Sequence, residues 1–123
     1  MGSHPINLAV RFLLEMIALL AIGYWGWHQG QGFVAFLLAG GLPLLAAILW
    51  GVFAVPDDPS RSGKAPVPVP GLIRLFLELT FFTLAVWCWL ATGLTVIGWV
   101  MASGVIGHYA LSYDRILWLI HQK

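Results

Sequence analysis

Charge is scarce in this chain. Six Lys and Arg and five Asp and Glu are spread over 123 residues, 9% in all, whereas a water-facing globular surface carries about 25%. That shortage excludes an ordinary soluble domain. Basic runs long enough to neutralise several phosphates are also missing, and the net charge is +1, which excludes a nucleic-acid partner. Cysteine is limited to Cys88, an apolar-stretch thiol with no second cysteine for a disulfide or a metal-thiolate site. The sequence has no His-Glu-x-x-His metal helix, no Gly-x-Ser-x-Gly nucleophile elbow and no phosphate loop. It therefore predicts no catalytic residue, no metal and no cofactor. A haem on His108 would need a second axial partner or an open site, and a histidine by itself supplies neither.

Hydrophobic residues, by contrast, make up 60% of the chain, and the mean hydropathy is +0.89. They fall into four nearly unbroken runs at about 6–27, 33–55, 72–91 and 95–120, each long enough to cross a bilayer. Inside hydrocarbon a segment must satisfy its own backbone N–H and C=O groups, and a helix does so without a neighbour. The alternation of a barrel strand is absent. The fold class predicted is all-α: a polytopic membrane protein whose four transmembrane helices use the whole chain, 1–123, as one domain. The turns at 28–32 and 92–94 are short enough to force antiparallel hairpins. The connector at 56–70, rich in proline and in small and charged residues, is expected to be extended and exposed.

Arg61 and Lys64 lie in the connector, Arg11 and Arg74 near the starts of runs one and three, and Arg115 and Lys123 near the end. The two short turns carry no Lys or Arg. Because positive flanks stay in the cytoplasm, both termini and the connector are expected inside. The first run is too long for a signal peptide and lacks a small-residue cleavage site after it, so it is expected to remain in the mature protein. The opening Met1-Gly2-Ser3-His4 resembles a tag remnant, and His4 is given no role. Tyr24, Trp25, Trp27, Trp87 and Trp89 gather toward the outer turns, and Trp50, Tyr113 and Trp118 toward the cytoplasmic side, the distribution of an aromatic belt.

Sliding the chain by 63 positions lays Arg11-Phe12-Leu13-Leu14-Glu15 over Arg74-Leu75-Phe76-Leu77-Glu78. Among so few charges, a doubled arginine-to-glutamate spacing predicts two copies of one hairpin, at about 7–55 and 70–118. They would be related by an axis along the membrane normal and close into a four-helix bundle. Gly40, Pro43, Ala47 and Gly51 share a face of the second run and are expected to form a packing surface, with Pro43 kinking the helix.

Chemistry, if any, should centre on Glu15 and Glu78. Each lies about eight residues into its helix, hence about 12 Å beyond the cytoplasmic end. A carboxylate at that depth must be paired or protonated. Arg11 and Arg74 stand four positions earlier on the same faces, and the repeat also allows crossed pairs, Arg11 with Glu78 and Arg74 with Glu15. His108, Ser112 and Arg115 share a face of the fourth run and are expected in the same half of the membrane. These groups, Glu15, Glu78, Arg11, Arg74, His108 and Ser112, are the candidates for binding a proton or a small amphipathic solute. The opposing reading has arginine keep the glutamates ionised, so that the cluster only locks helix register.

The stretches Arg11–Glu15, Gly23-Tyr24-Trp25-Gly26-Trp27, Pro43-Leu44-Leu45-Ala46-Ala47 and Leu49-Trp50-Gly51-Val52-Phe53, with the Pro-rich loop before Leu77-Glu78-Leu79, resemble the YrdB-like small bacterial membrane proteins. That family has a domain of unknown function. The resemblance covers nearly the whole chain and implies four spans in a bacterial inner membrane, with no reaction attached. Two functions of different class follow. One is a carrier or ligand-binding membrane protein that uses the polar cluster. The other is a structural or accessory subunit whose small-residue faces serve a homo-oligomer or a larger partner, with the lipid bilayer as the common surrounding.

Overall fold

The computed structural model describes residues 5–56 and 65–122. His4, the charged part of the connector with Arg61 and Lys64, and Lys123 lie outside the described residues. Apart from one pair of two-residue strands, the regular structure of the described residues is helical: α1 (Pro5–Gln29), α2 (Phe33–Val52), α3 (Gly71–Ala91), α4 (Thr95–Leu111) and α5 (Tyr113–His121). Helices α1, α2 and α3 are each long and apolar enough to cross a membrane. A fourth crossing is added if α4 and α5, bent by 68° at their junction, count as one span. The exterior is as apolar as the sequence requires, with Phe33, Phe36, Phe76, Val96 and Ile106 among its exposed side chains.

The hairpin turns are closed by residues that tolerate left-handed backbone, Gly32 at φ 57° and Gly93 at φ 84°, where a Cβ would be strained. At the second turn the Thr92 hydroxyl also donates to the Cys88 and Trp89 carbonyls, at 2.8 and 3.1 Å, satisfying acceptors that the helix end leaves open.

Helix α1 is the centre of the molecule and packs on α2, α3 and α4, while α3 packs on α1, α4 and α5. The core joins Leu14, Ala18, Ala21 and Ile22 of α1 to Phe81, Phe82, Ala85, Cys88 and Trp89 of α3 and to Met101 and Tyr109 of α4. This is not the closed four-helix bundle expected from two equal hairpins. Helix α2 lies along the outside of α1, barely meets α3, and buries just Ala35 among its residues.

The reason is visible at the glycines. A Cβ on Gly26 would come within 2.7 Å of the Leu38 carbonyl, and one on Gly23 within 2.9 Å of the Ala39 carbonyl. The two backbones therefore approach where α1 has no side chain, which is how helices gain contact in lipid. The face expected to do this packing does not do it within the chain. A Cβ added at Gly40 or Gly51 would meet nothing within 4 Å, and Ala47 is exposed. Pro43 sits inside α2 without ending it, on the side turned to Gly23.

The fourth apolar run is interrupted rather than continuous. The Ser112 N–H donates to the His108 and Tyr109 carbonyls at 2.9 and 3.2 Å, ending α4, and the Ser112 carbonyl accepts from Arg115 and Ile116 at 2.9 and 3.2 Å, starting α5. The described end of the connector is likewise not free. Phe53–Ala54 (β1) runs parallel to Val67–Pro68 (β2), Val69 N–H donates to the Ala54 carbonyl at 2.9 Å, and Ala54 and Val55 are buried. At the same end of the molecule Gly71 N–H donates to the Gln122 carbonyl at 2.9 Å, and Asn7 meets Ser112. The start of α1, the start of α3 and the end of α5 thus lie together.

Candidate functional site

Glu78 is the hub of the polar interior. It lies two turns into α3 on the face that carries Arg74, Phe81, Phe82 and Ala85 inward, and it has no exposed surface. An unpaired carboxylate in such a place would cost several kcal/mol. Three helices supply guanidinium groups to it. Arg11 of α1 grips it in a fork, Nη1 to Oε1 at 3.2 Å and Nη2 to Oε2 at 2.8 Å. Arg74 donates Nε to Oε2 at 2.9 Å, and Arg115 of α5 donates Nη2 to Oε2 at 2.5 Å. The Tyr109 hydroxyl of α4 donates to Oε1 at 2.8 Å. One carboxylate therefore ties α1, α3, α4 and α5 together through charge-assisted hydrogen bonds.

Trp50, near the end of α2, connects that helix to the cluster. Its ring lies 5.1 Å from the Arg11 guanidinium carbon and 4.4 Å from that of Arg74, and it packs against Phe81 and Phe82. The Trp50 carbonyl accepts from Arg74 Nη1, which also donates to the Phe53 carbonyl at 2.8 Å. Arg74 thus satisfies carbonyls that the end of α2 leaves over while its guanidinium face rests on an aromatic ring.

Glu15 is differently placed. Its Oε1 lies 3.4 Å from Arg11 Nε, and its side chain keeps 20% exposure. Of the two crossed pairs the repeat allows, Arg11 with Glu78 forms, while no ion pair joins Arg74 to Glu15 among the described residues. His108 and Ser112 belong to an adjoining group. Asn7 Nδ2 donates to Ser112 Oγ at 2.6 Å, and Asn7 Oδ1 lies 3.0 Å from His108 Nδ1. With that oxygen as acceptor, Nδ1 carries the proton, and Nε2, buried, meets no hydrogen-bond partner among the described residues.

The structure brings Arg11, Glu15, Arg74, Glu78, His108 and Ser112 into one polar interior and leaves Gly40, Ala47 and Gly51 outside it. Three participants escaped the reading of the sequence. Asn7 stands one turn before Arg11 in an apolar run, and that spacing was its signal. Trp50 reads as an interfacial aromatic and Tyr109 is given no role, because an indole or a hydroxyl looks the same in sequence whether it faces a headgroup or a guanidinium. No group of three or more His, Cys, Asp or Glu that could hold a metal occurs among the described residues. Three cavities that border α2 have apolar walls: one of about 140 Å³ is lined by residues including Ile22, Trp50 and Phe81, one of about 210 Å³ by residues including Trp25, Leu42 and Trp87, and one of about 550 Å³ by residues including Tyr24, Trp27 and Pro43. None of the three is lined by Glu15 or Glu78. The arrangement is suited to holding helices in register, with the Glu15 and Glu78 carboxylates turned to arginine rather than to these cavities.

No solved structure matches the chain. Residues 9–106 match the family described as Protein of unknown function (DUF2568). The Uncharacterized protein YrdB of Bacillus subtilis (strain 168) is 40% identical over 119 residues, which cover 97% of this chain and 97% of that protein. The doubled Arg-x-x-x-Glu frame and the aromatic and small-residue stretches therefore sit in a sequence that is related along almost its whole length, and the chain belongs to the DUF2568 family, with YrdB as a relative.

Proposed function

We propose that this chain is a small integral protein of the bacterial inner (cytoplasmic) membrane that crosses it four times with both termini inside, and that it serves as a structural or accessory membrane subunit. The apolar exterior and the length of the helices support the membrane placement. The gathering of the starts of α1 and α3 and the end of α5 supports a common side for the termini, and the positive charges favour the inside. The doubled Arg-x-x-x-Glu spacing favours two related hairpins, although their second helices have diverged in burial.

The observation that carries the functional reading is the seal around Glu78. A carboxylate with no exposure and three guanidinium partners is spent on architecture: it fixes helix register and has no lone pair left for cargo. A second reading, a carrier of a proton or a small amphipathic cation, rests on Glu15, whose carboxylate keeps some exposure and one arginine. Purified protein in detergent and in liposomes separates the two. The architectural reading expects Glu78→Gln to unfold far more easily than the parent, and the parent to show no pH-dependent proton uptake. Uptake that is lost in Glu15→Gln at unchanged stability would replace it with the carrier.

A further inference from the structure

Helix α5 presents three chemically distinct arcs. Arg115 and Leu119 are buried and face the protein. Tyr113, Leu117 and Ile120, spaced i, i+4 and i+7, form an exposed apolar stripe. Asp114 and His121, seven apart and both exposed, share a polar arc beside it. A helix with one face on protein, one apolar and one polar fits the boundary between acyl chains and water, where Tyr is also favoured.

The fold fixes its height. The N-terminal end of α5 is Ser112, held by Asn7 near the start of α1. Its C-terminal end is held where Gln122 accepts from Gly71, the first residue of α3. Both ends therefore lie at the level where neighbouring helices begin. Helix α4 has 17 residues and so rises about 26 Å, close to the roughly 30 Å of a hydrocarbon core. The turn of 68° then sends α5 sideways.

We infer that α5 does not complete the fourth span but lies in the plane of the cytoplasmic membrane interface, with Tyr113, Leu117 and Ile120 seated in the headgroup–acyl boundary of the same bilayer. The inference rests on the membrane-spanning reading above. The ionic cluster gains a use from it: the Arg115–Glu78 pair pins an interfacial helix to the spanning core.

The test is a depth measurement by nitroxide labels in vesicles of phosphatidylethanolamine and phosphatidylglycerol, comparing collision with oxygen and with a water-soluble nickel chelate. Cys88 is replaced by Ala, and single cysteines are placed at exposed positions, Tyr113→Cys, Leu117→Cys, Ile120→Cys and, in mid-α4, Val100→Cys. Seven residues along a helix normal to the membrane change depth by about 10 Å, and at the observed bend by about 4 Å. The expected result is a deep label at 100 and three shallow, lipid-contacting labels at 113, 117 and 120 that agree to within about 4 Å. A spread near 10 Å overturns the in-plane helix in favour of a continuing span. Labels at 113, 117 and 120 that are wholly aqueous, or shielded from both reagents as under a protein partner, also overturn it, provided the label at 100 is deep. An aqueous label at 100 instead defeats the membrane-spanning reading itself.

Discussion

Glu15 and Glu78 each stand four residues after an arginine in similarly spelled stretches of two helices, yet one is partly exposed with a single ion-paired guanidinium at 3.4 Å and the other is sealed by three. The local frame is equal, so the difference comes from what packs against it. Helix α3 is enclosed by α1, α4 and α5, and those helices bring Arg11, Tyr109 and Arg115 to Glu78. The side of α1 that carries Glu15 meets Trp50 at the end of α2, where Arg74 acts on Glu15 from a distance but forms no ion pair with it among the described residues. Buried charge in lipid is stabilised by its partners rather than by its own sequence window, and two like windows can therefore have different roles.

The comparison breaks most sharply at the two carboxylates. Glu78→Gln removes the common acceptor of three guanidinium groups and leaves them buried, so a loss of about 3–5 kcal/mol is expected, measured by reversible unfolding in mixed micelles. Glu15→Gln is expected to cost less than about 1 kcal/mol, in the range of a partly exposed pair. Equal losses would show that the two sites are equivalent after all.

The next effect tests how α5 is held. A Cβ on Gly71 would run into the Leu119 carbonyl, backbone that cannot step aside, so Gly71→Ala is expected to lose about 2–3 kcal/mol by overpacking and to loosen α5. Proteolysis or hydrogen exchange at residues 113–121 reads that loosening directly. Below it stands Asn7→Ala, which removes the link from α1 to Ser112 and His108. Leaving buried partners unsatisfied costs about 1–3 kcal/mol, and the same variant combined with Ser112→Ala is expected to lose less than the sum of the two, because the partners act as one unit.

Much of this was legible in the residues. Hydropathy alone marked the long helices, since apolar runs of this length have few soluble uses. The scarcity of charge made the Arg11–Glu78 crossing readable, because few partners were available to either. What could not be read was geometry set by distant packing. The break at Ser112 has no Pro or Gly within four residues of it, and its one sign was a Ser, a residue type common at helix starts, followed two residues later by Asp114, an acid in the first turn of α5. The marginal position of α2 was hidden for a related reason. Its glycines promised close packing, but Gly23 and Gly26 of α1 made the approach instead, and a helix that is apolar all round gives no sign of which face is used.

That leaves the smallest effect, and the one that most refines the contrast between the enclosed α3 and the marginal α2. Gly40 lies in the interior of α2 with nothing within 4 Å of an added Cβ, so Gly40→Ala meets no obstacle within the chain. It should gain up to about 1 kcal/mol from helix propensity, and Gly40→Leu should be tolerated almost as well, because the side chain would point away from every described neighbour. Unfolding midpoints check both in dilute micelles. The same variants weighed in liposomes, by cross-linking or single-molecule counting, carry a second message. If Gly40→Leu leaves the fold intact but changes the number of chains per complex, the open face of Gly40, Ala47 and Gly51 is where another chain sits, and the small residues of α2 do between molecules what Gly23 and Gly26 of α1 do within one.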